Sequence, residues 1–189
     1  MKIIFPCLRL YLVLVLLTGV IYPLIVTGVA QVLFHDLAEG SLVRSNNGVV
    51  GSLLLSQKTE DPKYFWPRPS AGDYATIASG ASNLGPASSD LKKAIADRLS
   101  KLQPTGVNAQ STIPDDLLTA SGSGLDPEIS PEAARWQVDR VAKARGFSAD
   151  QTAGLKQLVE QHVQKPQLGF LGEPRVNVLM LNLAVDQIK

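Results

Sequence analysis

LYLVLVLLTGVIYPLIVTGVAQVLF, from Leu10 to Phe34, is 25 residues long and carries no formal charge. A helix rising about 1.5 Å per residue would stretch it over roughly 37 Å, against a hydrocarbon core of about 30 Å. Its length separates two readings. Gly28-Val29-Ala30 offers a small-x-small cleavage site, but the apolar region of a signal peptide covers only about 7–15 residues. The longer run predicts a retained transmembrane helix over residues 10–34. Lys2 and Arg9 precede it, and Asp36 and Glu39 follow closely. The positive-inside rule then puts residues 1–9 in the cytoplasm and residues 35–189 outside it.

Within the span, Tyr22-Pro23 and Thr27-Gly28 interrupt a Leu/Val run. Pro23 should free a backbone carbonyl and kink the helix, which is tolerated where a neighbour re-satisfies that group. Thr18, Gly19, Thr27 and Gly28 are small enough to let another helix approach closely. With Tyr22 and Pro23 they mark a candidate face toward partner helices. The simpler alternative is a lone lipid-facing span, in which such residues are common.

The remainder has the composition of a folded domain: the chain as a whole is 45% hydrophobic and 19% charged. With Lys2 and Arg9 set aside, 16 of the 18 basic residues face 17 acidic ones, so the outer part carries about −1. That balance gives nucleic acid no basic field to bind. Cys7 is the one cysteine, at the inner edge of the span. The outer part therefore has neither disulfides nor thiol chemistry, and must hold together by a core.

Three helices are well specified. The first starts at an N-cap on Ser88 or Ser89 and runs to about Leu102, with Leu91, Ala94, Ile95, Leu99 and Leu102 as its apolar stripe. The second has Ser130 as N-cap, Pro131 at the first helical position and Gly146 as C-terminal cap. The third opens on the capping box Ser148-Ala149-Asp150-Gln151 and reaches about Val163. Val49 to Leu55 is a short β-type run. Arg175 to Leu183, RVNVLMLNL, alternates like a strand with Leu179, Leu181 and Leu183 on one face, although its last residues fit a helix too. YFWPRPSAGDY (Tyr64 to Tyr74) reads as a buried irregular loop, and SGASNLGPAS (Ser79 to Ser88) as turns.

Catalytic machinery is hard to assemble from these residues. His35 sits at the membrane boundary, and His162 falls among Leu155, Leu158 and Val159 on the third helix, where a structural role suffices. Ser89-Asp90-Leu91-Lys92 matches S-x-x-K but lacks the S-D-N and K-T-G companions of that chemistry. Ser123 lies in SGSGLD, which is not a G-x-S-x-G elbow. Asp115-Asp116 and Asp126/Glu128 sit in loops without the apolar setting that splits carboxylate pKa values. Two histidines and a distant cysteine make no transition-metal site, and there is no P-loop. SGSGLD is therefore expected to be a rigid recognition or structural element, with Gly122 and Gly124 taking unusual backbone angles. Trp136 is expected to point away from the core direction of Ala134, Val138 and Val141, either under a neighbouring loop or at an interface. Arg98, inside an apolar stripe, should meet an internal carboxylate or lay its stem along apolar surface.

Taken together, the segments resemble the C subunit of the bacterial Kdp-type potassium-transporting ATPase. The resemblance rests on LTGVIYPLIVTG in the span, GSLLLSQ (Gly51 to Gln57), YFWPRPSAGDY, SGASNLGP, TASGSGLDPEISPEAARWQVDRVAKARG and LGFLGEPRVNVL (Leu168 to Leu179). Ser56, Pro67 and Ala81 stand where the family pattern has glycine. The resemblance implies an accessory, non-catalytic, single-span subunit of the bacterial inner membrane, in a complex that imports potassium at the cost of ATP. Its implied partners are a channel-like potassium-binding subunit, a P-type ATPase subunit and a small single-helix subunit, besides membrane lipid. It further implies a catalytic-chaperone role that raises the pump's affinity for ATP. No cofactor is expected on this chain itself, and any ATP is met through the partner ATPase. Interface residues are sought within the matching blocks and at the two odd positions: Gln57, Arg68, Asn83, Arg98, Ser121, Gly122, Ser123, Gly124, Asp126, Trp136, Glu173 and Arg175. The alternatives are a membrane-anchored extracytoplasmic hydrolase using Ser89 or Ser123, and a nucleotide-binding module. The expected fold is α+β: one transmembrane helix, then a single extracytoplasmic domain with a small sheet and about three helices.

Overall fold

The computed structural model describes residues 3–45, 48–77, 79–102 and 112–188. Lys2, one of the two charges before the apolar run, lies outside the described residues. The chain divides into two compact units, Met1–Leu42 and Val43–Lys189.

The first unit is a helix from Ile4 to Leu33, with a mean hydropathy of 2.4 and no residue of its most apolar window buried. It begins six residues before the expected position because Arg9 does not interrupt it. One cationic side chain leaves the backbone ladder intact, since a long stem near a helix end lets the head reach water. The helix comprises α1 (Ile4–Leu16), a π-helical segment (Leu17–Ile21) and α2 (Tyr22–Leu33). The wide turn directly precedes Pro23, which has no N–H to offer the carbonyl of Gly19. At the end of that turn Tyr22 N–H donates to the carbonyl of Leu17, one residue further back than in an α-helix. Thr18 Oγ1 donates to the Leu14 carbonyl at 2.7 Å. The interruption expected at Pro23 is thus a π-turn. A short helix, α3 (His35–Ala38), follows.

The second unit is the α+β domain. Its strands are short: β1 (Leu42–Ser45) pairs with β2 (Gly48–Ser52), and β3 (Glu128–Ile129) pairs antiparallel with β4 (Val176–Asn177). The small sheet is therefore two separate ribbons among the described residues. β2 ends at Ser52, where a turn takes over, instead of running to Leu55. The helices are α4 (Ser89–Leu102), the single turn α5 (Asp115–Leu118), α6 (Pro131–Arg145), α7 (Ala149–His162) and α8 (Val178–Val185).

The helix ends follow their local chemistry. Ser88 Oγ accepts from the N–H groups of Asp90 and Leu91, which settles the first cap on Ser88. Ser130 Oγ accepts from Ala133 N–H at 3.0 Å, and Gly146 closes α6 with φ of 68°. Ser148 and Gln151 form the full capping box. The main correction falls on Arg175 to Leu183. Only Val176–Asn177 is strand, and the chain is already helical at Val178, because Asn177 caps α8 by accepting from Met180 N–H at 3.1 Å. The buried residues Val178, Leu181 and Val185 follow a helical spacing, not alternation.

α6 packs on α7, and α7 on α8. Ala133, Ala134, Val138, Val141, Leu155, Val159, Leu181 and Val185 fill the space between them. Phe65 enters the same core from the YFWPRP loop, with none of its surface exposed. That loop has no regular structure, as expected, and its backbone is held by side chains of the helices. Gln137 on α6 accepts from Trp66 N–H (2.8 Å) and donates to the Trp66 carbonyl (3.1 Å). Asn182 on α8 does the same for Phe65, at 2.7 and 3.0 Å. Arg140 donates to the carbonyls of Pro62 (2.8 Å) and Tyr64 (2.9 Å), and Arg145 to that of Lys63 (2.7 Å). Buried backbone polar groups need partners, and here side-chain amides and guanidinia replace a neighbouring strand.

Candidate functional site

The SGSGLD loop is stitched to its surroundings on both sides. Ser121 N–H donates to the Pro69 carbonyl at 3.1 Å, Ser79 Oγ donates to the Ser123 carbonyl at 3.0 Å, and Ser56 N–H donates to the Leu125 carbonyl at 2.9 Å. Ser123 Oγ accepts from Leu125 N–H at 3.0 Å. Ser121 is 2% exposed, so its hydroxyl faces the interior. Gly124 has φ of 69°, and a Cβ there would meet Ser70 Oγ at 3.0 Å and the Gly80 carbonyl at 3.1 Å. Glycine is needed at that position for both backbone angle and space. Gly122 does not share the unusual angle expected of it: its φ lies outside the left-handed region.

Asp126 ends the loop and turns the chain into β3. Its Oδ1 accepts from Glu128 N–H at 3.0 Å, and its Oδ2 meets Arg68 Nη1 at 3.2 Å. Across β3–β4, Arg175 Nε donates to Glu128 Oε1 at 2.8 Å. Asp116 Oδ2 accepts from Ser130 N–H at 2.7 Å and so ties α5 to the start of α6. These residues rim an open cleft of about 730 Å³, lined also by Asp115, Glu132, Glu173 and Ile129. Both of its arginines are already in ion pairs, so the cleft is acidic. Four of the interface candidates, Arg68, Asp126, Glu173 and Arg175, come together here.

The other candidates stand elsewhere. Gln57 is exposed, and its amide lies over Gly51, where a Cβ would come within 2.6 Å of Oε1. Asn83 is exposed in the turn-rich segment with φ of 53°. Arg98 is half-buried, and Nη1 donates at 2.6 Å to the Leu118 carbonyl at the end of α5. Among the described residues its partner is thus a helix-end carbonyl and not a carboxylate. Burial lowers its pKa from the ordinary arginine value. Trp136 is half-buried against the core instead of projecting away from it. The single core direction failed because α6 is enclosed on several sides, with Pro131, Ala133, Gln137, Val138 and Arg140 all buried. His162 ends α7 with Nδ1 2.8 Å from the Leu158 carbonyl.

Sequence reasoning missed Gln137, Arg140 and Asn182. Arg140 is 2% exposed, stacks on Trp66 with its guanidinium carbon 4.0 Å from the ring centre, and donates to Gln137 Oε1 at 2.6 Å. Burial pushes its pKa down to about 10. For Gln137 a signal was present, since it lies three residues after Ala134 and beside Val141 on the core-facing stripe, whereas Arg140 falls outside that stripe. Polar residues on a core-facing stripe need specific partners.

One membrane-length apolar helix and a stitched α+β domain with an acidic cleft are the architecture of a membrane-anchored subunit. The family profile described as KdpC, the K+-transporting ATPase c chain, matches residues 4–187. Among curated relatives, the potassium-transporting ATPase KdpC subunit of Geobacter sulfurreducens is 48% identical over 100% of this chain and 99% of its own length. Those of Sorangium cellulosum and Herpetosiphon aurantiacus are 51% and 50% identical, over 96% and 97% of this chain and 95% of each relative. The chain belongs to the KdpC family.

Proposed function

We propose that this chain is the non-catalytic accessory subunit of an ATP-driven potassium import complex. Its N-terminal helix anchors it in the bacterial inner membrane with residues 1–9 cytoplasmic and the α+β domain outside. Its membrane partners are the channel-like potassium-binding subunit, the P-type ATPase subunit and the small single-helix subunit. One observation carries the docking part of this reading. Beyond the backbone of its own helical turns and its chain neighbours, a Cβ on Gly19 or Gly28 would meet nothing within 4 Å. The chain's own packing leaves both positions open, and residues this small would let an outside helix approach closely. In the domain, the hydroxyls of SGSGLD serve the loop's own hydrogen bonds or are buried, which supports recognition over hydrolysis.

Any effect on the pump's affinity for ATP would be a coupling free energy carried through the membrane helices, because P-type pumps bind ATP on the cytoplasmic side. The decisive experiment is a topology fusion: a C-terminal reporter active only outside the cytoplasm should work, and one active only inside should not. Pro23→Leu or Gly28→Leu should weaken co-purification of the partner subunits while the outer domain stays folded. Normal assembly in both variants would remove the docking face.

A further inference from the structure

The segment from Gln164 to Arg175 forms an arm. Gln164 and Arg175 exchange backbone hydrogen bonds at its base (2.8 and 3.0 Å), and Gln167 and Leu171 exchange a pair near its tip (both 2.9 Å). Leu168 has φ of 54°, and Gly169 and Gly172 have φ of 82°. The tip carries Leu168, Phe170 and Leu171, which are 83%, 74% and 48% exposed. Leu168 and Phe170, at the end of a preformed arm, do little packing for their own domain, and Leu171 is half covered. Such clusters mark contact with another molecule.

The surroundings of the tip specify that molecule's chemistry. Glu173 directly follows the tip and opens the acidic cleft, which adds Asp115, Asp116, Asp126, Glu128 and Glu132. Against these stand Arg68 and Arg175, each already holding a cleft carboxylate. A loop that dips into an anionic membrane surface sets its apolar residues among lysines and arginines. From Gln164 to Arg175 this arm has only Lys165 and Arg175 as cations, and Arg175 is already paired with Glu128. A second copy would bring the same acidic face against this one, and like charges juxtaposed are repelled.

We propose that the arm tip and the acidic cleft form one docking surface, which takes the outer face of a partner subunit: an apolar recess for Leu168 and Phe170, flanked by lysine or arginine side chains that enter the cleft. The surface rests on the accessory-subunit reading and names the chemistry of the partner that reading requires. Arm and cleft act as two parts of one contact, the first supplying desolvated apolar area and the second supplying register and encounter rate.

The test uses the tagged full chain, co-expressed with the other subunits in native membranes, with a photo-crosslinking benzophenone amino acid in place of Phe170. The expected product joins position 170 to a peptide of a co-purifying partner subunit, with lysine or arginine within a few residues of the joined site. Adducts to lipid, to a second copy of this chain, or none at all while the partners still co-purify, overturn the docking surface and leave the accessory-subunit reading standing. Absence of any co-purifying subunit overturns both. A double variant, Leu168→Ser with Phe170→Ser, should lower recovery of the partners about tenfold or more, as loss of an aromatic hot spot does. Glu173→Lys should make recovery less sensitive to salt, since one attractive charge pair is lost. Unchanged recovery in the double variant, with the thermal midpoint of the domain also unchanged, overturns the proposal.

Discussion

The apolar helix and the YFWPRP loop satisfy the same requirement in opposite ways. In the helix Ile4–Leu33 the backbone satisfies itself, one turn against the next, and the side chains are left facing outward with none buried. In the loop around Phe65 and Trp66 the backbone satisfies almost nothing of itself. The side chains of Gln137, Arg140, Arg145 and Asn182 supply its partners from elsewhere in the chain. A backbone closed on itself needs only a favourable solvent around it. A backbone closed by distant side chains needs the tertiary structure to exist first, and it fails when one of those side chains is lost.

This contrast is open to attack by mutation. Both tryptophans, Trp66 and Trp136, lie in the α+β domain, so urea unfolding of the full chain in micelles, followed by their fluorescence, reports that domain. The largest loss is expected for Arg140→Ala. It strands the Pro62 and Tyr64 carbonyls and leaves a space over Trp66, and should destabilise by about 3–5 kcal/mol. Arg140→Met, which refills the space but not the hydrogen bonds, should recover only part. Gln137→Ala, which leaves Trp66 N–H and C=O without their partners, should follow at about 2–3 kcal/mol. If either variant unfolds like the wild type, the loop does not depend on its side-chain partners and the contrast is broken.

Ser130→Ala removes a local cap and should cost about 1 kcal/mol, a size set by the helix end alone. Pro23→Leu should shift the domain's unfolding by less than about 0.5 kcal/mol, because it lies in the other compact unit. A larger shift would join what the contrast separates.

Alkaline titration sharpens the picture at Tyr74. Its hydroxyl donates to the Arg68 carbonyl at 3.0 Å, and burial pushes its pKa from 10.0 up to about 12. The folded state thus holds a proton that the unfolded chain releases at about pH 10. The stability tied to it is fully present below pH 10 and is lost as pH rises through about 12. Tyrosinate absorbance should show a late component near pH 12 that Tyr74→Phe abolishes. A titration of the variant identical to that of the wild type would place the late proton elsewhere.

How much of this was legible in advance depended on the range of the interactions. The apolar span, the caps at Ser130 and Ser148, the stop at Gly146 and the irregular loop at Tyr64 were all readable, because each is decided within about one helical turn or by bulk hydropathy. Arg175 to Leu183 misled because its alternation and its helical spacing coincide over a few residues. The cap at Asn177 broke the tie. Arg98 misled because a buried guanidinium is served as well by a helix-end carbonyl as by a carboxylate, and only the position of α5 selects between them. The acidic cleft draws Arg68, Asp126, Glu173 and Arg175 from three separate blocks of sequence. No spacing along the chain announces that convergence.

By its sequence alone this protein was bound to have a membrane-length helix, a domain without disulfides, and helices starting and stopping where their capping residues stand. Those outcomes rest on solvent transfer and on contacts between near neighbours. Only the tertiary structure decided that Gln137 and Asn182 would act as strand substitutes for Trp66 and Phe65, and that a charged arginine would lie buried against Trp66. It also decided that the apolar arm would open onto six carboxylates. These depend on which distant segments become neighbours, and that is settled by packing one core as a whole.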